Sequence, residues 1–140
     1  ELTQTTGGVP TAWYRSQGVG PADGETWTAE QWNALDGQDP DKDGDINTRE
    51  YVADTDPLDS NEWFRITGLT LQSPRSVLFT SSSNRLYTLH ATPSMTDHVW
   101  TNVSGQGPHA GIGGADSMSD TNQPWQQHYR IQVAVPPAAP

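Results

Sequence analysis

Aspartates stand at every second position from Asp39 to Asp45, with Gly44 set among them and Glu50 five residues further on. Like charges this close repel one another unless something positive sits between them. With Asp39 as position 1 of a loop, Asp41 and Asp43 fall at positions 3 and 5. Gly44 falls at 6, where a sharp turn needs a residue tolerant of positive φ. Asp45 at 7 offers its backbone carbonyl, and its side chain adds charge without needing to bind. Ile46 at 8 is apolar and packs inward while its backbone closes the loop. Asn47 at 9 contributes directly or through a water, and Glu50 at 12 is placed to bind with both oxygens. A hard divalent cation of calcium's size takes six to eight oxygens, and alternate residues of a tight loop aim several oxygens at one centre. Every constrained position is filled, so Asp39, Asp41, Asp43, Asp45, Asn47 and Glu50 are the expected Ca2+ ligands.

The competing reading is an acidic, solvated linker. The regular spacing and the interruption of the acids by Ile46, Tyr51 and Val52 speak against it. Asp36, Asp54, Asp56 and Asp59 flank the loop; they either complete a second, weaker site or act as caps and solvated charges. The net charge of −10 argues against nucleic acid and anionic membrane surfaces as partners. Only 32% of residues are hydrophobic, which points away from one large core and toward a metal as a source of stability. Cysteine is absent, excluding disulfides and thiolate sites. No segment reads as a transmembrane span, so no membrane insertion is expected. The chain opens on Glu1 rather than Met and shows no signal-like segment, which reads as part of a larger covalent chain.

Around the loop the periodicity predicts helices. Thr11–Gln17 follows Pro10 and stops at Gly18. A second runs from about Thr28 to Leu35, with Thr28 and Gln31 spaced for a capping box. A third is capped by Asn47, carries Glu50, Tyr51 and Val52, and ends before Pro57. After Asn61 the texture turns to strands at 63–66, 69–71, 76–80, 85–89, 98–103 and 128–135, the last alternating cleanly. Ser81–Asn84 has the composition of a hairpin turn, and 104–122 reads as a long loop. The expected fold is α+β. Short N-terminal helices with one calcium loop occupy 1–60, an antiparallel β-sandwich-like domain occupies 61–136, and 137–140 is a tail.

The stretch from Asp39 through Asp59, with Asp-x-Asp-x-Asp-Gly at its start and Thr55-Asp56-Pro57 at its end, resembles the bacterial thrombospondin type 3-like calcium repeat, an EF-hand-like loop. The family usually has Gly where this chain has Asp54. The loop is also similar to that of dockerins, which carry two repeats where one is visible here. The segments around Pro10–Trp13, Arg85–Tyr87, Trp100, Gly113-Gly114, Asp120–Pro124 and Tyr129–Ile131 resemble C-terminal modules of large secreted bacterial proteins, many of them polysaccharide-degrading enzymes. That resemblance implies a secreted or cell-surface accessory module beside a catalytic parent.

No catalytic constellation is visible. His90, His98, His109 and His128 lack metal-binding spacing, no nucleophile elbow or phosphate loop occurs, and acids are scarce after residue 61. The expected function is therefore non-catalytic. Six tryptophans are the remaining clue. Trp13, Trp32, Trp63 and Trp100 have apolar neighbours and read as core; Trp27 is ambiguous. Trp125 sits in a polar loop, where stacking on a sugar and plain anchoring are equally good readings. With Asn122, Gln126 and Gln127 as hydrogen-bonding neighbours it forms the expected carbohydrate-binding group. Arg75, Arg85 and Arg130 either contact an acidic glycan or pair with neighbouring acids. The rivals to a calcium-stabilised carbohydrate-binding module are a structural spacer or surface-attachment module rigidified by calcium, and a calcium-dependent protein-docking module.

Overall fold

The computed structural model describes residues 1–121 and 128–138. The fold is α+β: three short helices are followed by two antiparallel sheets. The chain divides into two compact units, Glu1–Trp63 and Phe64–Pro140. Among the described residues no helix is long and apolar enough to cross a membrane.

In the first unit α1 spans Thr11–Ser16 and gives way to Gly18 at φ 72°. Helix α2 spans Ala29–Ala34 and has both arms of the Thr28/Gln31 capping box. Helix α3 spans Asn47–Ala53. Asn47 does not cap it, contrary to expectation. Ile46 occupies the cap position without a side-chain bond, and Asn47 turns inward, donating from Nδ2 to the Leu35 carbonyl (2.8 Å). Val9, Tyr14, Trp32 and Leu35 are buried together, with Leu2, Trp13, Val19, Trp27 and Tyr51 packed around them. Gly20 passes close to this cluster at φ 117°. A Cβ there would stand 3.1 Å from the Trp32 ring, so only glycine meets both demands.

In the second unit one sheet has the order β1-β2-β6, formed by Ile66–Thr70, Arg75–Ser81 and Gly114–Asp120. In the other, β3 (Leu86–Thr92) pairs with β7 (His128–Ala134) along its full length, and β4 (Thr101–Asn102) and β5 (His109–Ala110) pair with opposite ends of β3. Val77, Phe79, Tyr87, Leu89 and Met118 form the core, flanked by Phe64, Val103, Tyr129, Ile131 and Val133. The alternation of Tyr129, Ile131 and Val133 is therefore the inward face of β7.

Four expectations change. The turn 81–84 is no hairpin: β2 and β3 belong to different sheets, and the corner is held by Ser82 N–H donating to the Tyr87 hydroxyl (2.8 Å). Residues 63–66 and 69–71 are not two strands; a single strand, β1, spans Ile66–Thr70 with an irregularity between Ile66 and Gly68. His98, at φ 52°, breaks the strand expected over 98–103, leaving Thr101–Asn102. The long loop 104–122 contains β5 and β6. Strand β6 escapes periodicity because its inward positions are mostly polar. Met118 is the apolar one, Asp116 accepts from Ser81 Oγ (2.7 Å), and Asp120 accepts from the Tyr129 hydroxyl (2.9 Å).

Candidate functional site

The acidic loop closes through its own carboxylates. Asp39 accepts from the main-chain N–H of Lys42 (2.7 Å) and Gly44 (3.0 Å), Asp41 from Asp43 N–H (3.1 Å), and Asp43 from Asp45 N–H (2.8 Å). These bonds coil the segment and require left-handed backbone at Lys42 (φ 65°) and positive φ at Gly44 (φ 106°). The main chain carries the coil into the core: Asn47 N–H donates to the Gln38 carbonyl and Thr48 N–H to the Asp36 carbonyl.

Each aspartate spends one oxygen on the turn or, for Asp39, two. Asp41 Oδ2 and Asp43 Oδ2 remain buried with no hydrogen-bond partner. Ligand oxygens of Asp39, Asp41 and Asp43 all lie within 4.8 Å of one another, a separation that calcium–oxygen distances of about 2.3–2.6 Å accommodate. Helix α3 brings Glu50 within electrostatic reach of these aspartates, outside the set whose oxygens fall within 4.8 Å of one another. It is 1% exposed, and neither carboxylate oxygen has a hydrogen-bond partner. Burial, then the charges of Asp41, Asp43, Asp45 and Asp39, push its pKa from 4.5 up to about 8. Burial also raises Asp41, opposed by the hydrogen bond from Asp43 N–H and reinforced by the charges of Asp43 and Asp39. An uncompensated carboxylate buried against four like charges is the arrangement a protein avoids unless a cation completes it.

The two other expected ligands differ. Asp45 pairs with Arg49 (3.8 Å), which fits a position that offers its carbonyl rather than its carboxylate. Asn47 is fully buried and keeps Oδ1 unpartnered while its amide nitrogen is bound to Leu35. The flanking acids are engaged locally. Asp36 accepts from the Tyr14 hydroxyl (2.9 Å) and Gly7 N–H (2.8 Å). Asp56 accepts from Leu58 N–H, and Asp59 from the main-chain and side-chain nitrogens of Asn61. These are turn and anchoring roles. Asp54 sits at the C-cap of α3 with φ 62°, the left-handed position where glycine carries the least strain.

Trp125, Asn122, Gln126 and Gln127 lie outside the described residues. Of the tryptophans expected in the core, Trp32 is fully buried and Trp13 packs against it, but Trp63 is 43% exposed and Trp100 half-buried. Of the three arginines expected either to reach a glycan or to pair with acids, Arg130 pairs with no acid among the described residues. It stacks over Trp100 (4.5 Å to the ring centre) and donates from Nε to His90 Nδ1 (3.0 Å). Burial, then Arg130, lowers the His90 pKa, so the ring is the neutral acceptor this bond needs. Nothing in the one-dimensional pattern joins residues 90, 100 and 130; the sheet register does. Comparison with protein-family models, curated proteins and solved structures finds no match.

Proposed function

We propose that this chain is a non-catalytic module whose N-terminal unit is completed by calcium, serving as an extracellular accessory domain of a secreted bacterial protein acting on polysaccharide. The observation carrying the calcium reading is Glu50: a buried carboxylate with both oxygens unpartnered, close enough to feel the charges of Asp41 and Asp43, each of which also has an unpartnered buried oxygen. The donor set is all oxygen, the preference of a hard cation. A bound calcium would neutralise the cluster and hold α3 against the loop. The accessory role and the secreted location rest on the resemblance of the acidic segment and the β-region to such modules.

Calcium at a thousandfold above its dissociation constant adds about 4 kcal/mol to the stability of a one-site fold. A melting temperature unchanged between calcium and EDTA would remove the calcium reading. Glycan retention in affinity gels tests the accessory role, with Trp125→Ala as the variant for the polar loop. A wholly buried tryptophan set would favour the spacer reading, and tryptophans exposed in a groove the accessory role. Retention on no polysaccharide, with calcium stabilisation intact, would return the module to a spacer.

A further inference from the structure

The acidity of this chain is confined to one unit. Glu1–Trp63 holds 14 acids and 3 bases, a net −11, whereas Phe64–Pro140 holds 3 acids and 4 bases, a net +1. The β-unit by itself does not repel anions. On its four-stranded sheet, register sets His90 between Arg130 of β7 and Asn102 of β4, on the face opposite Tyr87, Leu89 and Ile131. Arg130 is exposed, yet its guanidinium is held on two sides, by the Trp100 ring and by His90 Nδ1. Its contacts among the described residues include no carboxylate. With Nε spent on His90, the two terminal nitrogens keep the planar fork that matches a carboxylate. Trp100 also lines an open groove of about 300 Å³ with Met95, Tyr129, His128, Ile66 and Leu69.

We propose that Arg130, fixed by Trp100 and His90, binds the carboxylate of a uronic-acid residue in a polysaccharide. This rests on the polysaccharide reading above and narrows it to sugars bearing carboxylates. Arginine held in advance loses less side-chain freedom on binding than a free surface arginine.

The test is calorimetric titration of the calcium-loaded full chain with galacturonate oligomers and with their methyl esters, which keep the sugar and remove the charge. The wild type should bind the acid at least tenfold more tightly than the ester. Arg130→Gln should abolish that preference while the ester still binds, and Arg130→Lys should restore only part of it. Nitrogen-15 spectra should show the Arg130 and Trp100 side-chain signals moving with the acid. Equal binding of acid and ester by the wild type, or an acid preference that survives in Arg130→Gln, overturns the proposal while leaving the polysaccharide reading standing. Binding of a glutamate-rich peptide as tightly as the oligomer also overturns it, since charge alone would then be recognised. Failure to bind any sugar removes both readings.

Discussion

Under the calcium reading, the burial of Glu50 makes metal binding a proton-displacement reaction. In the ion-free loop, burial and the neighbouring aspartates raise its pKa from 4.5 to about 8. At pH 7 the group is therefore mostly protonated, and a metal that needs the carboxylate must expel that proton. Apparent calcium affinity should climb about tenfold per pH unit from pH 6 to 8 and flatten above that, a difference of about 100-fold between pH 6 and pH 9. Titration calorimetry at pH 7 in two buffers of different ionisation enthalpy should register net proton release on calcium addition. Without calcium the sign reverses. A pKa raised on folding contributes stability below pH 4.5 that is lost as pH rises through about 8; at 1.36 kcal/mol per unit the full loss is on the order of 5 kcal/mol. In EDTA at pH 9, Glu50→Gln should therefore melt higher than the wild type, while in calcium it should melt lower. Affinity that is flat between pH 6 and 8, with no proton released, would refute the reasoning.

Other outcomes follow from particular positions. Asp54→Gly should raise stability by about 1 kcal/mol in urea denaturation, because it relieves left-handed backbone at φ 62°; a loss would mean that the Asp54 side chain contributes more than its backbone strain costs. Gly20→Ala should destabilise the N-terminal unit by about 1–3 kcal/mol, since it meets Trp32 at 3.1 Å and opposes φ 117° together; near-ultraviolet circular dichroism reports the disturbed tryptophan. Magnesium should substitute poorly for calcium in the same thermal assay, as it demands a smaller and more regular octahedral shell. Phe79→Ala should cost about 3–5 kcal/mol, because its ring packs against both Phe64 and Tyr87 between the sheets.

The coil of the acidic segment was legible in the sequence because its determinants are local. Carboxylates at alternate positions, a glycine where φ is positive and a glutamate one helical turn into α3 are all specified within twelve residues. The capping box of α2 and the alternation of β7 were legible for the same reason. The α+β order of helices before sheets also followed from a change of periodicity near residue 61. What the sequence left undecided depends on long-range pairing. Strand β6 has one buried apolar residue, and its inward aspartates are acceptable only because Ser81 and Tyr129 arrive to bond them. The corner at 81–84 looks like a hairpin turn whether its strands share a sheet or part company. Asn47 has the composition of a helix cap and instead bonds inward to Leu35, a partner twelve residues back. Arg130 is a lone cation by sequence; only the register of β3 against β7 and β4 brings it to His90 and sets Asn102 on the other side. Backbone and ligand chemistry that acts within a turn is written in order along the chain, whereas polar burial and side-chain fixation require partners that folding alone assembles.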